Sequence, residues 1–182
     1  MTTFMSEHAL ILGGAKSGKS SFALSLAEQG DYAQRVFIAT AEAKDPEMAR
    51  RIQRHQTERG PDWSTLEEPL DLVPALKKAD GPDSILLVDC LTLWLSNLMT
   101  VSGLSQNQIE DRFEDLAQTL PSLQGDAILV ANEVGMGIVP GNALSRSFRD
   151  LAGGLNNRLA QICQRVVLVT AGLPLVLKGP KT

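Results

Sequence analysis

Ala9-Leu10-Ile11-Leu12-Gly13-Gly14-Ala15-Lys16-Ser17-Gly18-Lys19-Ser20 runs from four apolar residues into a glycine-rich turn, and an amphipathic stretch follows it. Gly13, Gly18, Lys19 and Ser20 match the spacing G-x-x-x-x-G-K-[ST]. Glycines at those positions let the backbone curl until successive N–H groups converge on one point, and a following helix aims its positive dipole end there. Such a loop cradles phosphate. Lys19 then reaches the β- and γ-phosphates of a nucleotide, and Ser20 is placed to ligate Mg²⁺. A glycine-rich turn without a ligand is the alternative, and the flanking strand-then-helix pattern argues against it.

Working outward, Val36–Ala39, Ile85–Val88, Ile128–Ala131 and Val166–Val169 are further apolar runs of strand length, and Leu173–Lys178 reads as an added edge strand. Near-continuous apolar runs suit strands buried on both faces. Between them, helices are expected over Lys19–Gln29, Pro46–Glu58, Leu70–Ala79, Leu91–Leu98, Gln106–Leu120 and Ala143–Gln164. The last contains Gly153-Gly154, which predicts a bend or a division there, because each interior glycine costs on the order of 1 kcal/mol. This alternation predicts an α/β fold: a single P-loop NTPase-type domain over 9–182 with a mostly parallel central sheet and helices on both faces, preceded by a tail over 1–8. In open sheets of this kind ligands bind beyond the carboxyl ends of the strands. The glycine-rich connection Asn132–Asn142 is therefore a site candidate by position.

With 17 Lys+Arg against 21 Asp+Glu, the net charge of −4 gives no global positive field, which disfavours a nucleic acid polymer as partner. Cys90 and Cys163 have neither metal-site spacing nor the number of a disulfide framework, so they read as packing residues of a protein in a reducing cytoplasm. No apolar run approaches the roughly 18 residues of a membrane span.

Two residues carry open readings. Asp89 follows Ile85–Val88 at a strand end, where an acid holds Mg²⁺ through water or polarises an acceptor hydroxyl, or else caps the helix beginning near Leu91. His55 lies at i+7 from Met48 and i+3 from Ile52, so it continues the apolar stripe of a helix that starts at Asp45-Pro46 and stops at Gly60-Pro61. An imidazole there is either a packed core residue or a nucleophile toward phosphorus, with Arg50, Arg51, Arg54 and Arg59 drawing phosphate charge. Trp63 and Trp94 are likewise either core residues or aromatic platforms. On these residues alone, a kinase, a motor, a switch and a nucleotide-driven assembly module all stand.

Taken together, Gly13–Ser20, Ile38-Ala39-Thr40-Ala41, Arg51-Ile52-Gln53-Arg54-His55, Leu87–Thr92, Phe148–Gly153, Asn156–Ala160 and above all Asn132–Pro140 resemble the bifunctional adenosylcobinamide kinase/adenosylcobinamide-phosphate guanylyltransferase family of cobalamin biosynthesis. The resemblance spans about Ala9 to Lys178. It implies two reactions: phosphorylation of the aminopropanol hydroxyl of adenosylcobinamide, then transfer of GMP from GTP onto that phosphate through a guanylylated histidine, here His55. By aligned position it implies nucleotide contacts at Gly13, Gly14, Ala15, Lys16, Ser17, Gly18, Lys19, Ser20, Thr40, Ala41, Glu42, Gln56, Thr57, Glu58, Arg59, Glu67 and Asp89. GTP and ATP are the implied substrates, with Mg²⁺ held by Ser20 and Asp89. A homotrimer with active sites near subunit boundaries is implied as well.

Three positions depart from the familiar pattern. Lys16 stands where arginine is common, keeping the charge and losing the planar fork. Asp89 replaces a glutamate of some members and reaches one methylene less far. Gly153-Gly154 occupies a place where Gly-Arg is familiar, with one positive charge fewer.

Overall fold

The computed structural model describes residues 6–41, 60–101 and 103–180. Seven strands form one sheet in the order β3-β2-β4-β5-β1-β6-β7. They are β1 (His8–Gly13), β2 (Gln34–Ala39), β3 (Trp63–Glu67), β4 (Ser84–Asp89), β5 (Asp126–Asn132), β6 (Arg165–Thr170) and β7 (Leu173–Lys178). All neighbouring pairs are parallel except β6 with β7. The helices are α1 (Lys19–Ala27), α2 (Leu72–Ala79), α3 (Leu91–Thr100), α4 (Gln106–Thr119) and α5 (Ala143–Ile162). Every apolar run expected to be a strand is one, and β7 has the expected limits.

Side-chain alternation along the strands divides the core in two. Leu10 and Leu12 of β1, Leu86 and Val88 of β4, and Leu129 and Ala131 of β5 face α2–α5, whose buried residues include Leu76, Leu95, Leu116 and Leu155. Ala9, Ile11, Ile85, Leu87, Ile128 and Val130 face the other way, onto Ala23 and Ala27 of α1. Small residues at those two positions let α1 lie close to the sheet, which draws its N-terminus over the end of β1. Helices on both faces are as expected.

Three local readings change. His8 opens β1 and is buried, so ordered chain starts before the expected tail ends; Ser6 Oγ donates to Leu123 O at 3.0 Å. β3 was not expected: of its five residues only Trp63 is buried, and a short polar strand at the sheet edge carries no apolar run to reveal it. Gly153-Gly154 does not divide α5, a continuous helix of 20 residues. Both glycines are exposed, while Leu151, Ala152, Leu155 and Leu159 bury the opposite stripe and outweigh their propensity cost. The expected helix over Pro46–Glu58 lies outside the described residues.

Both tryptophans are core residues. Trp94 is 1% exposed, its indole N–H donates to Leu70 O at 2.8 Å, and its ring tilts against Phe113 at 5.9 Å. Trp63 is buried against the α1 face. Cys90 and Cys163 are free and buried, as expected.

Candidate active site

Gly13–Ser20 sits where β1 passes into α1, at the carboxyl edge of the sheet. Its shape is fixed from three sides. A Cβ on Gly13 would fall 2.4 Å from Ser17 Oγ and 2.6 Å from Val169 O, so only glycine lets the loop fold back over the strand. Gly18 has φ of 93°, the left-handed region, and its α-carbon side lies against Gly172 in the β6–β7 turn. Gly172 N–H donates to Ser17 O at 2.9 Å and Glu133 N–H donates to Gly13 O at 3.1 Å. Lys19 is buried and its Nζ donates to Gly14 O at 3.2 Å, across the mouth of the loop. Gly14, Ala15 and Lys16 are exposed, leaving the inner rim of the loop open to a ligand.

Three further strands end beside it. Ala39 pairs with Glu67 on one side and Asp89 on the other. Asp89 shares strand parity with Ile85 and Leu87, so its side chain projects on the α1 face, the side of the phosphate loop. Only β5 separates β4 from β1, which places the Asp89 backbone about 10 Å from the loop strand at ordinary strand spacing. Asp89 is not the cap of α3; Cys90 holds that position. Burial, reinforced by the Asp89 charge, pushes the Cys90 thiol up to about 11, and Lys19 acts in the opposite sense.

Thr40 has a role that its place in the sequence does not reveal. It is fully buried; its hydroxyl donates to Cys90 O at 2.7 Å and accepts from Cys90 N–H at 2.9 Å. Asn97 Nδ2 donates to Thr40 O at 2.9 Å and to Pro69 O at 3.2 Å. This network ties the ends of β2 and β4 and the chain leaving β3 into one rigid edge. The Thr40 hydroxyl is therefore committed to the backbone that carries Asp89. Asn97, on an apolar helix, was not singled out by sequence; its partner carbonyls lie 57 and 28 residues away.

The described residues thus gather Gly13–Ser20, Thr40, Ala41, Glu67 and Asp89 at one edge. Glu42, His55, Gln56, Thr57, Glu58 and Arg59 lie outside the described residues. Among the described residues no cluster of three or more His, Cys, Asp or Glu could hold a metal by itself. The Ser20 hydroxyl and the Asp89 carboxylate are hard oxygen donors suited to Mg²⁺ that takes its other ligands from phosphates and water. No helix of the described residues is long and apolar enough to cross a membrane.

A buried parallel sheet, a clamped glycine loop with its lysine, and an acid ending a strand two places away define a P-loop nucleotide-binding α/β protein. Solved structures agree on that fold: a type III secretion system ATPase superposes with a TM-score of 0.60 at 12% identity, over 90% of this chain and 51% of the other. A Pyrococcus horikoshii protein gives 0.57 at 10% identity, over 98% and 90%. The particular family follows from sequence comparison. A profile described as cobinamide kinase / cobinamide phosphate guanyltransferase matches residues 9–177, and the chain belongs to that family. The bifunctional adenosylcobalamin biosynthesis protein CobP of Pseudomonas aeruginosa is 47% identical over 170 residues, 93% of this chain and 96% of the relative. CobU of Salmonella typhimurium, also described as bifunctional, is 38% identical over 93% of this chain and 98% of its own length. The chain is a transferase that pairs the kinase with the guanylyltransferase.

Proposed function

We propose that one phosphate cradle, Gly13–Ser20, serves both reactions. In the first, the aminopropanol hydroxyl of adenosylcobinamide attacks the γ-phosphorus of a nucleoside triphosphate. The P–O bond to the β-phosphate breaks, the nucleoside diphosphate leaves, and the hydroxyl proton passes toward Asp89 or water. In the second, His55 attacks the α-phosphorus of GTP and expels pyrophosphate, giving a phosphoramidate. The new cobinamide phosphate then displaces histidine, forming adenosylcobinamide-GDP.

The observation that carries this reading is that the loop leading from β1 to Lys19 and the strand ending in Asp89 meet one edge of the sheet, with β5 alone between β1 and β4. Loop N–H groups and Lys19 bind and orient the phosphates, and Asp89 faces their far end. Ser20 and Asp89 would hold Mg²⁺, which neutralises charge on the phosphates when bound. Thr40 acts here by fixing the Asp89–Cys90 backbone, with Ala41 and Glu67 lining the same edge, and Glu42 and Gln56–Arg59 complete the nucleotide contacts by resemblance.

Exposed apolar residues Met136, Ile138, Val139 and Leu144, with Leu173, Leu175 and Leu177 on β7, support self-association, read as a trimer in the cytoplasm. The deciding experiment is mass spectrometry after GTP exposure. Wild type acquires one GMP that is acid-labile and base-resistant, and His55→Ala acquires none while retaining kinase turnover. An adduct that persists in His55→Ala overturns the assignment.

A further inference from the structure

We propose that Asn132 is a catalytic residue of the kinase step, its side-chain amide contacting the terminal phosphate between the phosphate loop and Asp89; this rests on the kinase reading above. Asn132 ends β5, the strand lying between β1 and β4. It pairs with Gly13, the first residue of the loop. Ile128 and Val130 of the same strand pack on the α1 face, so by strand parity the Asn132 side chain projects there too, beside Asp89.

Its backbone is secured without help from its side chain. The Asn132 N–H donates to Thr92 Oγ1 at 2.7 Å, and Asn132 O accepts from Asn156 Nδ2 at 3.4 Å. The side chain, by contrast, makes no hydrogen bond among the described residues, and its Oδ1 is enclosed and unpartnered. An enclosed acceptor without a partner is costly, and a residue kept only for packing would be apolar here, as Ala131 and Val130 are. The orphan amide marks a group reserved for a ligand.

The chemistry fits a transferring phosphoryl group. A carboxamide offers two donors and one acceptor without charge, so it can donate to an anionic equatorial oxygen while accepting from the incoming hydroxyl. A carboxylate at the same place would repel the phosphate. The α-phosphorus attacked by His55 lies two phosphates further along the chain, so the contact serves γ-transfer and not guanylylation.

The test uses the full-length protein and three readouts: adenosylcobinamide phosphorylation, hydrolysis of the terminal phosphate without acceptor, and GMP adduct formation. Asn132→Ala should lower kinase kcat on the order of 10²-fold, the loss typical of removing one aligned donor. Nucleotide Kd and adduct yield should stay within about threefold, the γ-contact being a transition-state one. Asn132→Asp, equal in shape, should lower kinase kcat at least as far. Full turnover in Asn132→Asp would overturn the proposal, as would equal losses of kinase turnover and adduct in Asn132→Ala. If wild type fails to phosphorylate adenosylcobinamide, the kinase reading fails by itself; the proposal is then judged on acceptor-free hydrolysis, which must fall similarly in both variants.

Discussion

Thr40→Val isolates the network that holds the carboxyl edge together. The two side chains match in shape, so packing around this fully buried residue is kept and only the hydroxyl is lost. In the native protein that hydroxyl bonds both polar groups of Cys90. Cys90 O keeps a second partner, the Trp94 N–H at 3.1 Å, so its loss is that of one ordinary hydrogen bond, about 0.5–1.5 kcal/mol. Among the described residues Cys90 N–H keeps none, and a buried orphan donor costs about 1–3 kcal/mol. The expected destabilisation is therefore about 1.5–4.5 kcal/mol, and for a chain of this size that lowers Tm by about 3–18 °C. Thr40→Ser retains the hydroxyl and should cost about 1 kcal/mol for the lost methyl. Urea unfolding with a common m-value measures both. Because the network also fixes the Asp89 backbone, kinase kcat should fall in Thr40→Val and recover in Thr40→Ser. A Val variant at least as stable as the Ser variant would falsify the assignment of the hydroxyl to Cys90.

Gly18→Ala must place a Cβ at φ 93° and 3.2 Å from Gly172 Cα, so it should lose about 1–2 kcal/mol of stability and weaken nucleotide binding in titration calorimetry. Lys19→Ala should impair phosphorylation and adduct formation alike, and full kinase activity in that variant would show the cradle to be misassigned. Burial depresses the His8 pKa below 6.5, with weaker opposing contributions from the Leu120 backbone and from Asp126 and Asp80. The unfolded chain then binds a proton that the folded chain refuses. Stability should be unaffected by His8 well above pH 6.5 and decline as pH falls through and below it; His8→Gln should flatten that limb in denaturation measured from pH 8 to 5.

Much of this protein is legible locally. The phosphate loop, five buried strands and the terminal edge strand all announce themselves through spacing or apolar runs, because each satisfies its own conformational demand within a few residues. β3 is silent for the converse reason: an edge strand built around Ser64 and Thr65 needs little apolar content, and its partner β2 supplies the pattern. The continuous α5 shows a local rule overridden, where one well-buried stripe outweighs two exposed glycines.

The sequence by itself singled out Gly13–Ser20 as a loop with the spacing of a phosphate cradle, and by family likeness which reactions follow. That motif works through contiguous backbone geometry, so no distant residue is needed to recognise it. Only the tertiary structure decided that β5 lies between the loop strand and Asp89, that Thr40 spends its hydroxyl on Cys90, and that Asn132 ends beside Gly13 with an unpartnered amide. Those facts are pairings across 50 residues or more, set by strand order and register, and neither is written into any single stretch of the chain.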